Sequence, residues 1–210
     1  MTSDELLAAR APRGLVLPAD LAREVRVAYG GAGRAYHDGT HLEEIVQRFG
    51  EVAASVGWLA PREVYLAALF HDAVYVAGAK DNEAKSAGWA RRAIEEQLSG
   101  QGLDAARVEA LILMTARHGA LGERDLADDP DGACFLDCDM AILGAERARY
   151  DAYERGVAAE YRAVPPEAFA AGRKAFLEGL LLKESIFLSA WGKARFEATA
   201  RANVTRALGR

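Results

Sequence analysis

The 210-residue chain has little of several things, and each shortage narrows its chemistry. Only two cysteines occur, Cys134 and Cys138, one helical turn apart. Two thiols make neither a disulfide framework nor a complete zinc site, so both are expected to be reduced, structural and cytoplasmic. No apolar run approaches the roughly 20 residues that span a bilayer, and the first residues place Asp4 and Glu5 where a signal peptide would be apolar. No membrane partner is therefore expected. A basic surplus is missing as well: the formal net charge is −5 and the pI about 5.5, which argues against general nucleic-acid binding. Strand-type alternation is nearly absent, as are low-complexity tracts and internal repeats. Histidine is scarce, with four in the chain: His37, His41, His71 and His118.

What remains is ordinary for a globular protein, 51% hydrophobic and 27% charged, and it carries helical periodicity almost throughout. After a polar lead (1–18, with room for flexibility), helices are expected over 19–29, from 41, over 61–76, from 82 to 97 and over 104–118. Further helices are expected over 146–162, 166–182 and 194–208, with a core segment at 134–144 and a short apolar piece at 185–191. The acidic stretch 121–131 reads as a mobile loop. The cluster Gly30-Gly31-Ala32-Gly33 lacks both a preceding strand and a G-K-[ST] ending, so it ends a helix and is not a phosphate loop. No linker is long enough to require two domains. The fold class expected is all-α, a single-domain helical bundle.

The stretch 65–75, Tyr-Leu-Ala-Ala-Leu-Phe-His-Asp-Ala-Val-Tyr, reads as an apolar helix that presents His71 and Asp72 side by side without leaving the helical pattern. Nitrogen with oxygen ligation suits a borderline or hard divalent cation. The dipeptide alone decides nothing, because His37-Asp38 repeats it. That second pair falls in the loop before a helix whose capping-box spacing, Thr40 with Glu43, puts His41 in its first turn. His118 reads either as a metal ligand or as a favourable charge at a helix C-terminus.

Together the residues carry a resemblance. The order His41, His71-Asp72, Asp139 resembles the HD-domain superfamily of metal-dependent phosphohydrolases. The flanking motifs are similar to a bacterial subfamily of predicted HD-superfamily phosphohydrolases. They are Tyr36-His37-(three residues)-His41, Phe70-His71-Asp72-Ala-Val-Tyr75 and Asp81-Asn82-Glu83-(two)-Ser86-Ala87. Phe135-Leu136-Asp137-Cys138-Asp139-Met-Ala-Ile-Leu-Gly144, Glu160-Tyr161 and Glu197-(two)-Ala200-Arg201-Ala-Asn203 belong with them. The likeness spans about 29–208, and Cys138 stands where the pattern has a small alanine.

The resemblance implies a helical bundle with His41, His71, Asp72 and Asp139 as metal ligands, and His118 as an extra ligand where a second ion binds. Asp137 is the rival for the last place; two residues apart on a helix the two acids point about 200° apart and do not both reach one ion. The Asp-Met-Ala-Ile-Leu context favours Asp139, with Asp137 hydrogen-bonding behind it. The implied cofactor is one or two divalent ions, with Mn, Mg, Fe, Co, Ni and Zn all open. The implied activity is hydrolysis of a small phosphorylated metabolite or nucleotide by metal-activated water. Asp72 would orient or deprotonate that water, His37 would contact phosphate or join the metal shell, and Glu83 would act as an acid or base nearby. Arg34 and Lys80 are candidate phosphate donors, with Arg201 more remote. The roles of Glu83, Arg34, Lys80 and Arg201 each compete with a plain structural or surface one, and that of His37 with a loop histidine held by Asp38. The alternatives are a di-iron oxygenase on the same fold and a non-catalytic metal- or nucleotide-binding regulatory module. Nothing in the sequence sets the oligomeric state.

Overall fold

The computed structural model describes residues 7–209, and among them it is all-helical, with no strand. No helix among these residues is long and apolar enough to cross a membrane. The chain divides into two compact units, Met1–Ala116 and Arg117–Arg210.

The first unit is built on α1 (Ala19–Tyr29), α2 (Gly39–Ser55), α3 (Pro61–Phe70), α4 (Asn82–Glu96) and α5 (Ala105–Thr115). Helix α3 is its axis. All eight residues from Glu63 to Phe70 are buried, and α2, α4 and α5 pack around it. A helix apolar on every side has no solvent face to offer, so burial on all sides is its stable state. Its one buried acid, Glu63, accepts a hydrogen bond from the backbone of Asp104 at 3.2 Å, and Asp104 in turn caps α5 through Arg107 N at 3.0 Å. Pro61 starts α3 and Asp104 starts α5, as the sequence implies.

Three expectations need correction here. The N-cap of α2 is Asp38, whose carboxylate accepts from Thr40 N at 2.8 Å and His41 N at 3.4 Å, so the helix begins two residues before the position that Thr40 suggested. Helix α3 ends at Phe70 rather than near Val76, leaving His71 as its C-cap and Asp72 in the following turn. The lead segment is not simply polar and loose. Leu7, Leu15 and Leu17 are buried, and Tyr65 Oη donates to Leu7 O at 2.6 Å. Residues 1–6 of that lead lie outside the described residues.

The second unit contains α6 (Pro130–Met140), a 3-10 turn (Ala141–Gly144), α7 (Arg147–Glu160), α8 (Pro166–Leu182) and α9 (Ala190–Leu208). The stretch 121–131 holds a 3-10 turn, Glu123–Leu126, and then Asp129 and Pro130 as the N-cap and first residue of α6. Asp-Pro is a helix start as well as a turn signal, and Gly132 N donating to Asp129 at 2.9 Å decides for the helix. Cys134 and Cys138 are buried on α6 and form no disulfide.

The piece before α9 is held by two acids. Glu197 accepts from the backbone N–H groups of Ile186 and Phe187, and Asp137 from those of Leu188 and Ser189. Four consecutive N–H groups outside any helix are thereby satisfied. Arg201 ties Glu197 to the carbonyls of Lys183 and Glu184, and Asn203 donates to the carbonyls of Leu143 and Ala145. The Glu197–Asn203 motif is therefore scaffolding within this unit.

Gly192 makes this possible by having no side chain: a Cβ there would sit 2.2 Å from Asp137 Oδ2. Gly192→Ala is expected to displace the carboxylate and cost about 2 kcal/mol, measured as a shift in urea unfolding.

Candidate metal centre

His41, His71 and Asp72 meet inside the first unit. His41 Nε2 lies 3.0 Å from His71 Nε2 and 3.5 Å from Asp72 Oδ2, and His71 Nε2 lies 3.2 Å from the same oxygen. Both imidazoles are almost fully buried, at 2% and 1% exposure, and the Asp72 side chain keeps 15%.

These spacings suit the coordination sphere of a metal ion. Ligand atoms bound at about 2.1 Å stand about 3.0 Å apart at right angles and about 3.4 Å apart in a tetrahedron. The three observed separations span that range, so the atoms outline one face of a coordination polyhedron. The tautomer agrees. His71 Nδ1 lies 3.0 Å from Ala68 O and donates to it, so with an ion in place Nε2 would be the lone pair facing the other two atoms. Two ring nitrogens 3.0 Å apart need a proton or a cation between them, and the adjacent carboxylate favours positive charge there. The cluster could hold a metal ion.

Burial opposes ionisation of Asp72, but the charge of His71 and hydrogen bonds from His41 and His71 outweigh it and hold the carboxyl well below its ordinary value. A depressed folded value stabilises the fold above the unfolded-chain pKa of about 4, and that contribution is lost as pH falls through the folded value. Without metal, the stability gap between the parent and Asp72→Asn is expected to be larger at about pH 5 than at about pH 2, read by urea unfolding.

The other expected site residues fall in different places. His37 is half-buried in the loop before α2, stacked on Tyr75 at 4.3 Å between ring centroids and 5.8 Å from His41. Arg34 does not point its guanidinium outward as the phosphate donor expected; it donates to the main-chain carbonyls of His37, Asp72 and Ala73. Lys80 is exposed in the segment before α4, and Glu83 is half-buried in the first turn of that helix. The rest of that motif pins the chain after Asp72. Asn82 bonds both the N–H and the C=O of Val76, and Ser86 Oγ bonds those of Val74.

In the second unit, Asp139 on α6 pairs with His118, Nδ1 to Oδ2 at 3.7 Å, and His118 lies in the turn after α5 rather than in the helix. Asp137 has both oxygens engaged. Oδ1 accepts from Leu188 N at 2.7 Å, and Oδ2 from Ser189 N at 2.8 Å and Ser189 Oγ at 2.6 Å. Burial pushes the Asp137 carboxyl up to about 6 against the pull of these donors. Sequence reasoning gave no role to Tyr29, whose hydroxyl lies 3.2 Å from Asp72 N and 3.4 Å from His71 Nδ1. The two partners are more than 40 residues downstream, and no local pattern announces such a contact.

No family model, curated protein or solved structure matches this chain.

Proposed function

We propose that the protein is a metal-dependent phosphohydrolase acting on a small phosphorylated metabolite or nucleotide. The observation that carries this is the triangle of His41 Nε2, His71 Nε2 and Asp72 Oδ2, with edges of 3.0, 3.2 and 3.5 Å. Two imidazoles and a carboxylate suit the borderline divalent ions, and three protein ligands on one face leave further positions for water and substrate.

Asp139 is the proposed fourth ligand. Asp137, its rival, has both oxygens committed to Leu188 and Ser189, and the resemblance of the motif assigns the role to Asp139. His118, its partner at 3.7 Å, is the proposed ligand of a second ion. A bound divalent ion would acidify water and neutralise charge on a phosphoryl oxygen.

The chain's own residues supply the rest. Asp72 stays ionised at neutral pH because its pKa is depressed, so it would serve as an anionic ligand and as a hydrogen-bond acceptor that orients water. His37, held face to face with Tyr75, is the proposed contact for the phosphate or leaving group.

The test is phosphate release from a panel of phosphate esters and nucleotides by protein stripped of metal and reloaded with Mn²⁺, Mg²⁺, Co²⁺, Ni²⁺, Fe²⁺ or Zn²⁺. Ion-dependent release supports the reading, and silence across the panel overturns it. The His118–Asp139 pair also suits two-iron chemistry. Two irons per chain together with O₂ uptake would displace the hydrolase.

A further inference from the structure

Helix α3 stops just where the candidate site needs its greatest accuracy. His71 N makes the last helical bond, to Ala67 O at 2.9 Å, and Ala73 N turns back to Phe70 O at 2.9 Å. Between them the Asp72 peptide is held from outside the helix. Its N–H donates to Tyr29 Oη at 3.2 Å, and its carbonyl accepts from Arg34 Nη2 at 2.8 Å. The same Nη2 reaches Ala73 O at 3.0 Å, and Nη1 reaches His37 O at 2.6 Å. The guanidinium lies over the rings of Tyr29 and Tyr75, 5.1 and 5.4 Å from their centroids. Tyr29 is fully buried at the end of α1, and its hydroxyl also stands 3.4 Å from His71 Nδ1.

We infer that Arg34 and Tyr29 are positioning residues that grip the Asp72 peptide from both sides and set its carboxylate against the two imidazoles before an ion binds. The inference rests on the metal reading of the site. A carboxylate on a free turn would sample several directions, and each would have to be given up on binding. A planar fork that bonds three carbonyls removes that freedom in advance. The grip also links the His37 loop to Asp72, because one guanidinium bonds the carbonyls of both residues. Residues that orient metal ligands typically matter 10–100-fold for affinity.

The experiment measures the Kd of Mn²⁺ by calorimetric titration of metal-free protein, alongside the unfolding midpoint of the same preparations. Arg34→Ala is expected to weaken Mn²⁺ binding by about 10–100-fold. Arg34→Lys should recover only part of this, because one ammonium cannot span three carbonyls. Tyr29→Phe keeps the ring under the guanidinium and removes only the hydroxyl, which accepts from Asp72 N–H and stands beside His71 Nδ1, so it should give a smaller loss of affinity and a smaller drop in midpoint than Arg34→Ala. It also serves if Arg34→Ala does not fold. Variants that bind Mn²⁺ with the parent's Kd while their midpoints fall would make the grip purely structural and overturn the inference alone. A parent protein that binds none of Mn²⁺, Fe²⁺, Co²⁺ or Zn²⁺ would remove the metal reading and the inference with it.

Discussion

Asp72→Ala protein is expected to fold with its helical content intact, lose metal affinity by more than about 100-fold and release no phosphate above background. The magnitude follows from position. Residues that only orient a ligand matter 10–100-fold, and Asp72 is itself a corner of the triangle. It is also the only anionic corner of that triangle, so without it Asp139 would be the one carboxylate left among the proposed ligands to balance a dication. Differential unfolding gives a second readout. An ion present at about 100 times its Kd stabilises the parent by about 2.7 kcal/mol, and the variant should gain almost nothing. A variant that kept both its metal and its turnover would remove Asp72 from the site.

The second large effect is on stability. Asp137→Ala is expected to cost about 3 kcal/mol in urea unfolding, because Leu188 N and Ser189 N lose their acceptor where water does not reach easily. Asp137 itself is 1% exposed. Folded Asp137→Ala protein should still bind metal, which separates it from Asp139→Ala, where binding should weaken and stability change little. A reversed outcome for the two acids would exchange their roles.

Much of the architecture can be read from the residues. Helical spacing gives an all-α chain, and Pro61 and Asp104 mark helix starts because a proline lacks the N–H that a first turn leaves unused and an aspartate supplies an acceptor for it. The grouping of His41, His71 and Asp72 is legible through the motif resemblance, although the helical pattern puts the His-Asp pair inside a helix over 61–76 and the pair stands at the C-cap and the turn after it.

Other features are decided by distant partners. The sequence 61–76 is apolar enough to continue as helix, but Tyr29 and Arg34 capture the Asp72 peptide and the chain turns away at Phe70. Asp38 takes the α2 cap because its carboxylate reaches two N–H groups, which the Thr40–Glu43 spacing does not reveal. Arg34 looks like a phosphate donor beside the first ligand, and only the packing shows that carbonyls occupy its fork. Asp137 and Asp139 are separated by what lies opposite each, not by their own neighbours in the chain.

The most direct measurement is anomalous diffraction from crystals grown with Mn²⁺. An ion is expected within about 2.0–2.3 Å of His41 Nε2, His71 Nε2 and Asp72 Oδ2, with a carboxylate oxygen of Asp139 in the same shell. An ion bound elsewhere, or His41 and His71 bridged only by a hydrogen bond while Mn²⁺ is present at saturating concentration, would contradict it.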